Sequence, residues 1–256
     1  MSEQIEDLLH RRTDLSTFVV HFTRDSEDGK TSKDNLLKIL KKGRLEARNP
    51  YGMAAHLTEK FPEVAKTQRA VCFTETPLEH AWMMCRPIAG RSIRFDGYGL
   101  AFTKTFARRE GANPVWYLDI SQRGRDWLTQ PVNRLVEAAV ASATDEDGDI
   151  DGSALAAEDI FLLTPFLEQM GPITNGRKEF WWEREWRHVG NFSFEPEHIV
   201  VAFAPADQHA SLQDSLREAT DDDYDGLTFA DVNWGLERII GALAKVDAAD
   251  LGPFPK

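Results

Sequence analysis

Cysteine is scarce in this sequence, two among 256 residues, and Cys72 and Cys85 fall in no repeated spacing. A disulfide framework of the kind that staples small secreted domains is not expected, and reduced thiols are the default. Long apolar runs are missing as well. No stretch approaches the roughly 18 residues that a membrane span needs, and MSEQIEDLLHRRTDL has no apolar run behind a basic start. These absences predict a cytoplasmic protein with no membrane partner. Positive charge is in deficit, for a net of -12. That speaks against non-specific nucleic-acid binding, whose affinity comes from Lys and Arg neutralising phosphates. Neither a GxGxxG nor a GxxxxGK[ST] loop occurs, which speaks against a Rossmann or P-loop nucleotide cradle.

What is present is enough for a core. The hydrophobic share is 42% with seven tryptophans, far from the aromatic-poor composition of disordered chains. The length suits a single domain over residues 1–256. One local excess of positive charge runs from Arg86 to Arg109, where Arg86, Arg91, Arg94, Lys104, Arg108 and Arg109 face only Asp96. That stretch suits an anionic ligand.

Residues 4–12 have helical spacing, and STFVVHFT from Ser16 to Thr23 is β-branched and aromatic enough for a strand. NLLKILKKGRL predicts a helix with Leu36, Leu37 and Leu40 on one face and Gly43 as its stop. Residues 49–68 are turn-rich, AVCFTET reads as a buried strand, and PLEHAWMMC as a helix with Pro77 in its first turn. SIRFDGYGLAFTK predicts a hairpin turning at Asp96-Gly97, and NPVWYLDI another strand. WLTQPVNRLVEAAVASAT and AAEDIFLLTPFLEQM have helical patterns, HIVVAFAP is a strand, and VNWGLERIIGALAKV a closing helix. Strands interleaved with helices predict an α+β fold with a mixed sheet.

The segment EFWWEREWRH concentrates aromatics and charges. Read as a strand through EFWWEREWRHVGNFSF, it puts Glu183, Glu185 and Arg187 in one row and Trp182, Trp186 and His188 in the other. Paired carboxylates raise one another's pKa and a guanidinium lowers it again, so such a row can hold a polarised substrate or simply be a charged strand face. His21 and Thr23 share a strand face and make a compact donor and acceptor set. Thr74 and Glu75 end the CFTET strand, Tyr98 offers a ring for stacking on a flat base, and Lys104 a cation.

HFTR, L-x-x-I-L-x-x-G in NLLKILKKG, CFTETPLEH, YGLAFTK, NPVWYLD and the W-x-x-E-x-E-W-R run, in that order, resemble the AbiGi-type abortive phage resistance proteins from about residue 17 to the C-terminal helix. That group in turn resembles the ADP-ribosyltransferase fold, which implies a mainly antiparallel sheet with flanking helices and an NAD site. On this resemblance His21 takes the first-strand role, Tyr98 or alternatively Thr74 the second, and Glu185 the third, preceded by Glu183. Glu185 would stabilise the oxocarbenium character that develops as nicotinamide leaves the ribose. His21 and Thr23 would bind ribose or carboxamide and Tyr98 would pack on nicotinamide, while Lys104 and the arginines near it would face the pyrophosphate. CFTET departs from the family's hydroxyl strand by placing Glu75 where a hydroxyl is expected. The implied activity is ADP-ribose transfer or NAD hydrolysis in phage defence, without a metal. The alternative is a catalytically inactive antitoxin or sensor module that binds a toxin or phage protein.

DGDIDGSALAAE has the spacing of an EF-hand loop, with Asp147, Asp149, Asp151, Gly152 and Glu158 in register. It lacks a second hand, and Ala154 replaces the usual branched apolar residue. DDDYDG, 221–226, begins alike and reads as a solvated acidic loop.

Overall fold

Alternating β-branched and aromatic residues form the first strand of the computed structural model, which describes residues 13–26, 28–88, 91, 93–121, 128–173, 176–219, 224–247 and 251. The helix expected over residues 4–12 and the start of the 221–226 loop lie outside the described residues. The strands are β1 (Phe18–Phe22), β2 (Arg44–Leu45), β3 (Ala70–Thr74), β4 (Gly99–Thr103), β5 (Asn113–Pro114), β6 (Trp116–Asp119), β7 (Leu167–Ile173), β8 (Gly176–Lys178), β9 (Glu185–Val189), β10 (Phe192–Ser193), β11 (Ile199–Phe203) and β12 (Phe229–Ala230). The helices used below are α1 (Ser32–Lys42), α2 (Ala65–Gln68), α3 (Lys104–Arg109), α4 (Thr129–Ser142), α5 (Gly152–Ala156), α6 (Ile160–Leu163), α7 (His209–Ala219) and α8 (Leu236–Leu243). The fold is α+β with mainly antiparallel pairing.

The chain forms two units, one of residues 1–44, 73–109 and 193–256 and the other of residues 45–72 and 110–192. In the first, strands run β12-β11-β4-β1-β3. β1 pairs antiparallel with β4, Val19 opposite Phe102 and His21 opposite Leu100, and with β3 through Val20 opposite Thr74. The faces alternate, so Val20 and Thr74 lie on one side of the sheet and Val19, His21 and Phe102 on the other. Val19, Val20, Leu100, Phe102, Val201 and Phe203 are essentially inaccessible. Helix α1 buries Leu36 and Leu40, opens on a Thr31/Asp34 capping box and stops at Gly43, whose φ of 56° favours glycine. The buried leucines and the Gly43 stop agree with the sequence pattern, and the capping box adds to them.

In the second unit β9 pairs antiparallel with β5, and β6-β7-β8 form a further sheet. A helical cluster packs Phe61, Val64, Ala139, Leu155, Ile160 and Phe161 together. Three local expectations are corrected. AAEDIFLLTPFLEQM is helical only to Phe166, where a 3-10 turn hands over to β7; Pro165 withholds a backbone donor from a continuing helix. Residues 93–96 form no strand, so the Asp96-Gly97 hairpin is not made. Finally, EFWWEREW is not one strand: Trp181–Glu183 is a 3-10 turn, Arg184 takes φ 49°, and β9 begins at Glu185. The left-handed residue breaks the alternation and takes Glu183 out of the row.

Candidate functional site

Strand β9 alternates Trp186, 7% exposed, against Glu185 and Arg187 on its opposite face. Arg187 is a long cation left 2% exposed, which is tolerable only if its charge and its N–H groups are matched. Its charge and four of its five N–H groups are matched within the second unit. Nε donates to Glu185 Oε1 at 2.9 Å and Nη2 to Glu185 Oε2 at 2.9 Å, a bidentate fork. Nη2 also reaches Glu168 Oε2 at 3.0 Å and Nη1 the Pro165 carbonyl at 2.6 Å. The Tyr51 ring lies 4.9 Å from the guanidinium carbon. Lys178 Nζ donates to Glu168 Oε1 at 2.7 Å, and the Tyr117 hydroxyl donates to Glu185 Oε2 at 3.1 Å. Two cations thus meet two carboxylates.

Protonation follows from this arrangement. Burial would raise the Glu168 carboxyl, but Arg187 and Lys178 outweigh it and hold it below the usual range. Burial opposes the charge of Arg187, while Glu185 and its other neighbours fix it firmly on. Burial, then the Glu185 charge, pushes the Tyr117 hydroxyl far up, so it is a donor at any physiological pH. The same two causes push the Cys72 thiol well up, which disfavours its thiolate.

Glu183 lies in the second unit, ahead of β9, whereas His21, Thr23, Thr74, Tyr98 and Lys104 lie in the first. Thr23, 3% exposed, directs its hydroxyl at the Ser32 carbonyl at 2.8 Å, with the Tyr98 carbonyl at 3.2 Å. Its own N–H donates to that Tyr98 carbonyl at 2.8 Å, so Thr23 and Tyr98 are brought together through backbone. The Tyr98 hydroxyl is raised by burial and then by Asp207 and Asp96. His21 meets the Phe73 ring edge-on at 6.0 Å. Thr74, on the opposite sheet face from His21, pairs its hydroxyl with that of Thr76 at 2.7 Å. Lys104 Nζ stands 2.8 Å from Glu75 Oε1, so this carboxylate, 7% exposed, neutralises a cation. A cavity of about 300 Å³ opens in this unit at the end of α1, lined by Lys41, Lys42, Arg44, Ser193, Glu195 and Tyr224 among others, and none of the predicted site residues lines it.

Sequence reasoning found Glu185 and Arg187 but missed Glu168, Tyr117, Lys178 and Tyr51. Tyr117 and Glu168 are register partners across β6 and β7, a signal hidden by the helical look of FLEQM. In the EF-hand-like stretch, Asp145 accepts from the N–H groups of Asp147 and Asp149, and Asp151 caps α5 through Ser153 and Ala154. Among the described residues no group of three or more His, Cys, Asp or Glu is placed to hold a metal.

Residues 51–217, well over half of the chain, match the family model described as "Putative abortive phage resistance protein AbiGi, antitoxin". The chain belongs to the AbiGi family. This span takes in the whole Glu185–Arg187–Glu168 cluster, so the best-built polar cluster of this AbiGi chain falls in its family-defining stretch. No curated protein and no solved structure matches the chain. No helix among the described residues is long and apolar enough to cross a membrane.

Proposed function

We propose that this AbiGi antitoxin neutralises a protein toxin by binding it, with its conspicuous carboxylates serving the fold. The observation that carries this reading is the state of Glu185. Both its oxygens accept from the Arg187 fork, and one also accepts from Tyr117. A carboxylate that must steady a developing oxocarbenium ion and hold a ribose hydroxyl needs its lone pairs turned to the substrate. Here the substrate would have to displace a buried guanidinium. Glu75, the other strand-end carboxylate, is paired in the same way with Lys104.

The competing reading is that the protein binds NAD and transfers ADP-ribose or hydrolyses NAD, with Glu185 catalytic and Glu183, His21, Thr23, Thr74, Tyr98 and Lys104 around the cofactor. One observation favours it: Glu185 stands on a strand, as the ADP-ribosyltransferase resemblance requires. Two measurements separate the readings. Co-expression with the cognate toxin should restore growth for the wild type and equally for Glu185→Gln, whose amide keeps an acceptor for Arg187. Purified protein mixed with the toxin should release no nicotinamide from NAD. Nicotinamide release that Glu185→Gln abolishes, together with lost neutralisation by that folded variant, would sink the binding reading.

A further inference from the structure

The cavity of about 300 Å³ at the end of α1 lies wholly within the first unit. Two of its lining residues are buried aromatics that tie the helix end down. Tyr224, 3% exposed, donates its hydroxyl to the Leu40 carbonyl at 2.8 Å, and Phe194, 4% exposed, donates its N–H to the Gly43 carbonyl at 2.8 Å. The Gly43 N–H in turn donates to the Ile39 and Leu40 carbonyls. The carbonyls that give a helix its negative end are thus answered by donors of the chain itself.

The exposed part of the lining is cationic. Lys41, Lys42 and Arg44 stand there against one acid, Glu195, in a chain whose net charge is -12. Asp225, which follows Tyr224 in the chain, is held by the Arg217 guanidinium at 2.7 Å. Lysines in a last turn ordinarily answer the helix's own negative end. Here backbone and tyrosine donors already do so, and Arg44 stands beyond the helix on β2. Ser193 of β10 adds a hydroxyl to the lining. A guanidinium that bonds at two points, with two ammonium charges beside it, suits a phosphate dianion better than a single carboxylate. Glu195 supplies an acceptor for a hydroxyl on the same ligand. The volume sits at the small end of the range for ligand pockets, about 300–1,000 Å³, which suits one phosphate ester and not a run of nucleotides.

We infer that this cavity binds a small hydroxylated phosphate ester, a sugar phosphate or a mononucleotide. Lys41, Lys42 and Arg44 hold its phosphate, and Glu195 accepts from its hydroxyl. The site is additional to toxin binding and does not depend on it.

The test is calorimetric titration of the full chain at low salt with ribose 5-phosphate, adenosine monophosphate and ribose. At least one ester should bind with a Kd below about 1 mM, and ribose should give no heat; the tighter ester tells whether the site also takes a base. Lys41→Gln with Arg44→Gln removes two exposed cations and should weaken ester binding about tenfold or more. Lys60→Gln, at an exposed lysine of the second unit, should leave it unchanged. Ser193→Tyr keeps every charge but obstructs the cavity, and should abolish binding. Circular dichroism and ligand-free melting temperature should match the wild type for each variant that is scored. No heat from either ester at millimolar concentration overturns the site. Binding that survives in folded Ser193→Tyr also overturns it, because the attraction then follows surface charge and not the cavity. So does single-stranded RNA that binds more tightly than both esters. Growth restoration on co-expression with the toxin reads the toxin-binding proposal separately.

Discussion

Arg187 anchors two carboxylates at once, and the asymmetry of that arrangement makes unequal predictions for its partners. Truncation to Met leaves Glu185 and Glu168 facing each other in a site that is 15% and 14% exposed. Breaking a buried pair from one side costs about 3–5 kcal/mol, so Arg187→Met should lower the denaturation midpoint sharply. Glu185→Gln keeps an acceptor and leaves Arg187 with Glu168, and should cost only about 1–3 kcal/mol. Urea melts of the two variants give the comparison. The pH dependence has a definite sign. Glu168 has a folded pKa below its unfolded one, so its contribution is present above the unfolded value, about 4.3, and is lost as pH falls through the lower folded value. Glu168→Gln should flatten that acid limb of the stability curve. Cys85, with its thiol pushed up to about 11 chiefly by burial, should react with iodoacetamide at a rate still climbing beyond pH 9.

The elements explain how far the residues could be read in advance. Helix α1 was legible because periodicity, the terminal lysines and Gly43 agree, and β1, β3 and β11 because short runs rich in Val, Ile, Phe and Thr admit little else. Strand β7 was not, since LEQM fits a helical period as well as an extended one and only its pairing to β6 decides. In EFWWEREW the alternation is real but Arg184 at φ 49° interrupts it, and no local pattern announces a left-handed arginine. The Glu185 cluster was half legible: Arg187 lies two residues away, whereas Tyr117 is 68 residues distant along the chain and Glu168 depended on the misread segment. Another element junction offers a direct check. Gly52, at φ +83°, has the Thr164 carbonyl oxygen 1.9 Å from where a Cβ would sit. Gly52→Ala combines left-handed strain with a backbone clash, together roughly 2–5 kcal/mol, and should show as a large loss of thermal stability.

At the scale of the whole molecule the excess of acid over base, 42 residues against 30, keeps copies apart at neutral pH and low salt. Acidification toward pH 5 removes that repulsion. Light scattering should therefore show interactions between molecules turning from repulsive to attractive over that range, and added salt should reduce the difference. The two units also share the sequence unevenly, with three chain segments in one and two in the other. Strand β1 sits between β4 and β3 and yet precedes residue 51, where the family match begins. A fragment cut to residues 51–217 would keep its family signature and lose a central rung of the ladder. It would expose one edge of β4 and one of β3 to any passing strand. The stretch that identifies this protein and the stretch that folds are therefore different lengths of chain, and the first expressed alone should precipitate where the second stays in solution.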